Sequence, residues 1–135
     1  MGKLRGTALV YMVILLAAAS LNYIPGLTDA EGRAFGVFAL DIYDDLLHVA
    51  SATWAGIAAA TSSRAARTFL RYFGLLYLTD GLLGLAAGSG YLDLGIVNHG
   101  IVHLPLTFKI LANLPHIGGG AFAVFSSVQW AHEAR

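Results

Sequence analysis

At 135 residues the chain has the length of one domain. Hydrophobic residues make up 57% of it and charged residues 12%, well under the ~25% charged share of an ordinary soluble domain. Its formal net charge of zero suggests no nucleic-acid surface and no acidic tail, and with no Cys it has no disulfide, thiolate metal site or cysteine nucleophile.

Four apolar stretches are predicted as membrane-spanning helices, at about 7–24, 45–62, 69–87 and 114–131. Each approaches the ~20 residues needed to cross a ~30 Å hydrocarbon core. The first carries no charge. Lys3, Arg5 and the run Ala17-Ala18-Ala19 also fit a cleavable secretory signal, but a counterpart later in the chain favours a retained helix. The second stretch has Asp45 and His48 near one end, and Asp44 or Asp45 is placed to cap it. The connection from Ser62 to Arg67 reads as a basic cytoplasmic anchor. The third stretch carries Arg71 near one end and Asp80 in its interior, and ends around Gly88-Ser89-Gly90. The fourth starts with Asn113 as its cap, Pro115 in its first turn and His116 just after. Residues 34–47 and 91–111 read as amphipathic or re-entrant segments on the outer end, because uncovered irregular backbone is excluded from lipid.

The expected fold is all-α: an integral membrane four-helix bundle with two pseudo-repeated helix pairs and short outer-side amphipathic helices, forming one transmembrane domain over residues 1–135. Lys3, Arg5, Arg64, Arg67, Arg71 and Arg135 fall on one side of such a bundle, against Arg33 and Lys109 on the other. The positive-inside rule then places both termini in the cytoplasm, with the chain a multi-pass protein of a bacterial or archaeal cytoplasmic membrane.

An internal duplication organises this reading. Tyr43-Asp44-Asp45-Leu46-Leu47-His48 aligns with Leu111-Ala112-Asn113-Leu114-Pro115-His116, and Ala8-Leu9-Val10-Tyr11 with Gly74-Leu75-Leu76-Tyr77. Each half reads as helix, outer connection, Asx-Leu-x-His, helix. An axis along the membrane normal would relate two such halves.

Leu46-Leu47-His48, the Ala-Gly-Ile-Ala-Ala-Ala run after it, Ser63-Arg64-Ala65-Ala66-Arg67, Phe73-Gly74-Leu75-Leu76-Tyr77 and Gly81-Leu82-Leu83-Gly84-Leu85 carry a resemblance. Over roughly residues 40–130 the chain resembles a widespread bacterial family of small four-helix membrane proteins, catalogued only as a domain of unknown function. Asn113-Leu114-Pro115-His116 matches that family's Asn-x-x-His motif, while Asp80, His99, His103 and Pro115 depart from its pattern. The resemblance implies a fold and a location, and no activity.

Asp80 is the first residue that would carry chemistry. An acid midway along a span costs ~2.5–3.5 kcal/mol and points to function, as a proton relay or a polar contact. Without a cation, burial should keep it neutral and bonded to Thr79, Tyr11 or Ser20. His48 and His116 occupy matching positions and would meet if their helices adjoin. The i, i+4 spacing of His99 and His103 puts both on one face of a helix, as two ligands of one metal require. Asp41, Asp44 and Asp45 share a helical face with His48, making an outer acidic cluster. Together His48, His99, His103 and His116 suit a transition metal, or two of them a haem. Interfacial His and Asp more often cap helices or meet water, and Gly100 and Pro105 weaken the helix that His99 and His103 need. Gly118-Gly119-Gly120 permits close backbone approach to a neighbour.

The sequence contains no catalytic constellation. The first expectation is a polytopic membrane protein acting as a non-catalytic accessory, scaffold or self-assembling subunit. Its partners would be the lipid bilayer and a homo-oligomer or larger membrane complex, with no nucleic acid. The alternatives are an outer histidine-based metal or haem site for electron transfer or sensing, and a minimal proton or solute pathway through Asp80.

Overall fold

The computed structural model describes all 135 residues. Five α-helices follow one another: α1 (Lys3–Ser20), α2 (Ile42–Thr61), α3 (Ser63–Ala87), α4 (Gly95–His99) and α5 (Leu106–Gln129). Short 3-10 turns at Leu21–Tyr23 and Ala131–Ala134 extend α1 and close the chain. The four long helices run alternately up and down, with α1 packed along α2, α3 along α5, and α2 against α3.

Side-chain size decides how the helices meet. On α2, Ala52, Ala55, Ala58 and Ala59 are buried and let α1 approach through Leu4, Ala8, Tyr11 and Leu15. On α3, Phe69, Phe73 and Tyr77 recur at every fourth residue and form a buried aromatic column along one face. Successive ring centroids lie 5.0 and 4.1 Å apart. The α3–α5 crossing is closer still. A Cβ on Gly74 would lie 2.7 Å from the Gly120 carbonyl oxygen, and one on Gly120 would lie 2.5 Å from the Leu78 nitrogen. Only glycine fits where two helix backbones come that near.

The helix ends are closed largely by residues from distant parts of the chain. Glu133 accepts the N–H groups of Lys3 and Leu4, at 3.0 Å each, satisfying donors that α1 cannot use itself. Arg5 donates to the carbonyls of Ala59 and Ala60 at the end of α2, and Arg67 to that of Ser127 at the end of α5. α3 stops at Gly88, whose φ of 81° is the left-handed conformation of a glycine C-cap.

This architecture corrects the four-span expectation. One helix, α1 with its following turn (Lys3–Tyr23, mean hydropathy 1.8), is long and apolar enough to cross a membrane. α2 opens on Asp44, Asp45 and His48, α3 carries Arg64, Arg67, Arg71 and Asp80, and α5 carries Lys109, Asn113 and His116. These polar groups and the glycines dilute the apolar runs once true helix boundaries replace the windows of 45–62, 69–87 and 114–131. The four-helix integral membrane bundle, and with it a multi-pass cytoplasmic-membrane topology fixing both termini, is therefore not supported.

The two pseudo-repeated pairs and the amphipathic outer helices are corrected as well. α5 starts at Leu106 with Pro105 before it, so Pro115 lies inside the helix and Asn113 caps nothing. Asn113 instead donates to the Lys109 carbonyl one turn back. Residues 25–41 form turns held by isolated bridges of Ala34 with Thr28 and Phe38, and residues 91–105 hold only the single turn and a half of α4.

Candidate functional site

Asp80 sits about two turns before the end of α3 and is 2% exposed. Past Gly88 the chain reverses and returns over the carboxylate. Oδ1 accepts the N–H groups of Tyr91 (2.6 Å) and Leu92 (2.9 Å), while Oδ2 accepts from His116 Nδ1 at 2.7 Å. Gly90 makes this return feasible, since a Cβ there would lie 2.7 Å from both carboxylate oxygens. One side chain thus ties α3, the turn after it and α5 together. Thr79, Tyr11 and Ser20, the partners expected from sequence, point elsewhere: Thr79 meets Tyr91 Oη, Tyr11 donates to the Gly119 carbonyl and Ser20 to that of Ala17.

Burial alone pushes the Asp80 carboxyl up, but the His116 hydrogen bond outweighs it together with the N–H groups of Leu92 and Tyr91. The net effect holds the group below the usual carboxylate range. Asp80 is therefore an ionised acceptor with its oxygens engaged, and the neutral acid expected without a nearby cation is replaced by a carboxylate–imidazole pair.

His48 and His116 do come together. Their ring centroids are 6.5 Å apart, and Tyr77 lies 4.9 Å from His116 in an edge-on arrangement. His48 Nδ1 is 2.7 Å from the Asp44 carbonyl oxygen and donates to it. Each imidazole is thus fixed through Nδ1, one by a backbone carbonyl and the other by a carboxylate, and no protein group bonds either Nε2. Burial pushes the His48 imidazole below its usual range, and the neighbouring His116 adds to that effect. The Tyr77 hydroxyl is 3.2 Å from Ser51 Oγ, so the aromatic column ends at this polar group of α2.

The acidic cluster is occupied in building the start of α2. Asp41 accepts from Tyr43 and Asp44 N–H, and Asp44 Oδ2 takes the Asp41 N–H in return, a reciprocal capping box. Asp45 accepts from the Tyr23 hydroxyl at 2.8 Å. Asp44 is pushed up to about 7, by burial first.

His99 and His103 join neither group. α4 ends at His99, and Gly100 leaves the helix with φ 66° and ψ −150°, so the i, i+4 face never forms and both imidazoles are exposed. No group of three or more His, Asp or Glu side chains is arranged to hold a metal ion. The metal reading of His48, His99, His103 and His116 is corrected accordingly, and the haem alternative has no supporting arrangement beyond the two facing imidazoles.

Sequence reasoning missed the Asp80–His116 pair, because His116 is read there as the matching partner of His48 and Asp80 as a neutral acid that bonds hydroxyls. It also missed Glu133, whose signal is a lone acid among the basic residues of that end.

The apolar α1 and the many exposed Val, Ile, Leu and Phe side chains on the long helices are consistent in general terms with membrane association. Neither curated proteins nor solved structures gave a match. The family model described as "Domain of unknown function (DUF4383)" matches residues 5–112. That span takes in α1, which the resemblance over 40–130 left out, and stops before Asn113-Leu114-Pro115-His116, which the resemblance relied on. With most of its length matched by that model, the chain belongs to the DUF4383 family of unknown function.

Proposed function

We propose that this is a membrane-associated protein whose working element is the Asp80–His116 pair, acting as a protonation-responsive lock between α3, the turn at residues 90–92 and α5. The observation that carries the reading is the 2.7 Å bond from His116 Nδ1 to a carboxylate that is otherwise sealed in the protein. Histidine changes charge between about pH 5 and pH 8. The Asp80 carboxylate already makes this bond charge-assisted; a proton on His116 would make it a full ion pair, adding Coulomb attraction across a contact buried from water. His48, fixed 6.5 Å away, is the group against which that new charge is felt. A double-mutant cycle with Asp80→Asn and His116→Gln, measured at two pH values, tests the lock. The pair's coupling should strengthen on acidification, and a coupling independent of pH overturns the reading.

The lock works within a homo-oligomer or a larger membrane complex. Leu114, Phe122 and Phe125 of α5 and Val10, Val13 and Ile14 of α1 remain large, apolar and exposed. A face of this kind is rarely left bare in a monomer surrounded by water. Cross-linking of the full chain in native membranes should give discrete species above the monomer; monomer alone removes this part of the proposal.

A further inference from the structure

The opposite end of the bundle from Asp80 carries a different arrangement. Lys3, Arg5, Arg64, Arg67, Arg71 and Arg135 gather there with Glu133 as the only acid, whereas Arg33 and Lys109 share the other end with the remaining seven acids. The zero net charge therefore conceals a strongly dipolar molecule. At the basic end, Arg5 and Arg67 use their Nε groups on helix-terminal carbonyls, and Lys3 Nζ stands 5.7 Å from the centre of the Trp130 ring. Arg64, Arg71 and Arg135 are exposed and make no side-chain hydrogen bond or ion pair.

Two clefts open onto this end, and Arg64 borders both. One, of about 380 Å³, has Thr61, Arg64 and Thr68 at its polar part and Trp54, Ile57 and Ala65 along its apolar wall. The other, of about 440 Å³, is bounded by Ser62, Ser63, Arg64, Glu133 and Arg135. A cleft with a free guanidinium and hydroxyls at one part and an indole wall beside them is amphipathic in the same sense as a phospholipid. An anionic headgroup would meet Arg64 and Arg135, and the start of an acyl chain would lie along Trp54 and Ile57. Basic clusters attract anionic lipid surfaces by about 1 kcal/mol per residue, or roughly fivefold in affinity, and Trp belongs at the boundary between headgroup and chain.

We infer that the basic end, centred on Arg64 between its two clefts, is a binding site for the headgroup of an anionic phospholipid. The inference goes beyond the Asp80–His116 lock and does not depend on it, because the two lie at opposite ends of the bundle.

Trp54 and Trp130, the two tryptophans of the chain, supply the readout. The full chain in a neutral, non-ionic detergent is titrated separately with phosphatidylglycerol, phosphatidylcholine and inorganic phosphate while tryptophan fluorescence is followed. Saturable binding of phosphatidylglycerol is expected, with phosphatidylcholine and phosphate at least about fivefold weaker, and with Arg64→Gln losing about fivefold for phosphatidylglycerol alone. Arg64→Lys should recover part of that loss, and Gly118→Ala, whose added Cβ meets nothing within 4 Å, should bind as the wild type does. Equal binding of both lipids overturns the inference, as does phosphate binding as tightly as the anionic lipid. If Arg64→Gln shows reduced helix content by circular dichroism, Arg135→Gln replaces it, and an unchanged affinity in a folded Arg135→Gln variant also counts against the site.

Discussion

Asp44 and Asp80 are both buried carboxyl groups, and their surroundings push them in opposite directions. Asp80 has two backbone N–H groups and an imidazole aimed at it. Asp44 has one N–H, from Asp41, and its burial dominates. The consequence for stability follows from linkage. In the unfolded chain Asp44 titrates near its ordinary 3.8, and in the folded protein near about 7. Below about pH 4 it is protonated in both states and imposes no penalty. As pH rises from about 4 to about 7 the unfolded state loses its proton first, so this residue's contribution to stability falls across that interval and levels off above it. Thermal unfolding followed against pH should show the wild type losing stability across that interval relative to Asp44→Asn, whose amide oxygen can still accept the Asp41 N–H. His48, held below its usual range in both proteins, contributes the opposite slope equally to each. An identical slope in the variant places the pH dependence elsewhere.

At the scale of elements, the glycines divide by what they touch. Gly74 and Gly120 form the place where α3 and α5 nearly meet backbone to backbone, whereas a Cβ on Gly118 meets nothing within 4 Å. Gly120→Ala should therefore push the helices apart and cost about 1–3 kcal/mol, the range for overpacking. Gly118→Ala should be neutral or stabilising by up to ~1 kcal/mol through helix propensity. Denaturation midpoints of the two variants decide this, and equal effects would contradict the crossing described. The sequence signalled the glycine run but not which member carries the contact, since helical phase relative to a neighbour depends on where the helix begins. The same uncertainty misplaced Pro115 and Asn113: α5 starts at Leu106, and the apolar window hid that start. Helical segments and their approximate order were readable from hydropathy. A meeting of His48 and His116 was suggested only on condition that their helices adjoin, through an alignment of two halves that the fold does not keep. The turns at 25–41 were not, because bridges such as Ala34 to Phe38 leave no periodic pattern.

For the whole molecule, hydropathy was a poor guide to the number of membrane crossings and charge placement a good guide to polarity. Apolar stretches looked like four spans, yet one helix meets the length and composition of a crossing, because Asp80, His116 and Asn113 fall within helices that are long but mixed. The basic residues were readable as one group, and the bundle does gather them at one end with Arg5, Arg67 and Glu133 closing helices there. What joins the far end is the Asp80–His116 pair, and it alone connects α3, the following turn and α5 through one carboxylate. The decisive measurement is the coupling free energy of that pair. Wild type, Asp80→Asn, His116→Gln and the double variant are unfolded at about pH 5.5 and about pH 8. Asn retains an oxygen for the Tyr91 and Leu92 N–H groups, so the Asp80→Asn variant keeps that part of the site. A coupling within the ~0.5–3 kcal/mol range of contacting residues, larger at the lower pH, is the expected result. A coupling near zero, or one of equal size at both pH values, would contradict the protonation-responsive lock.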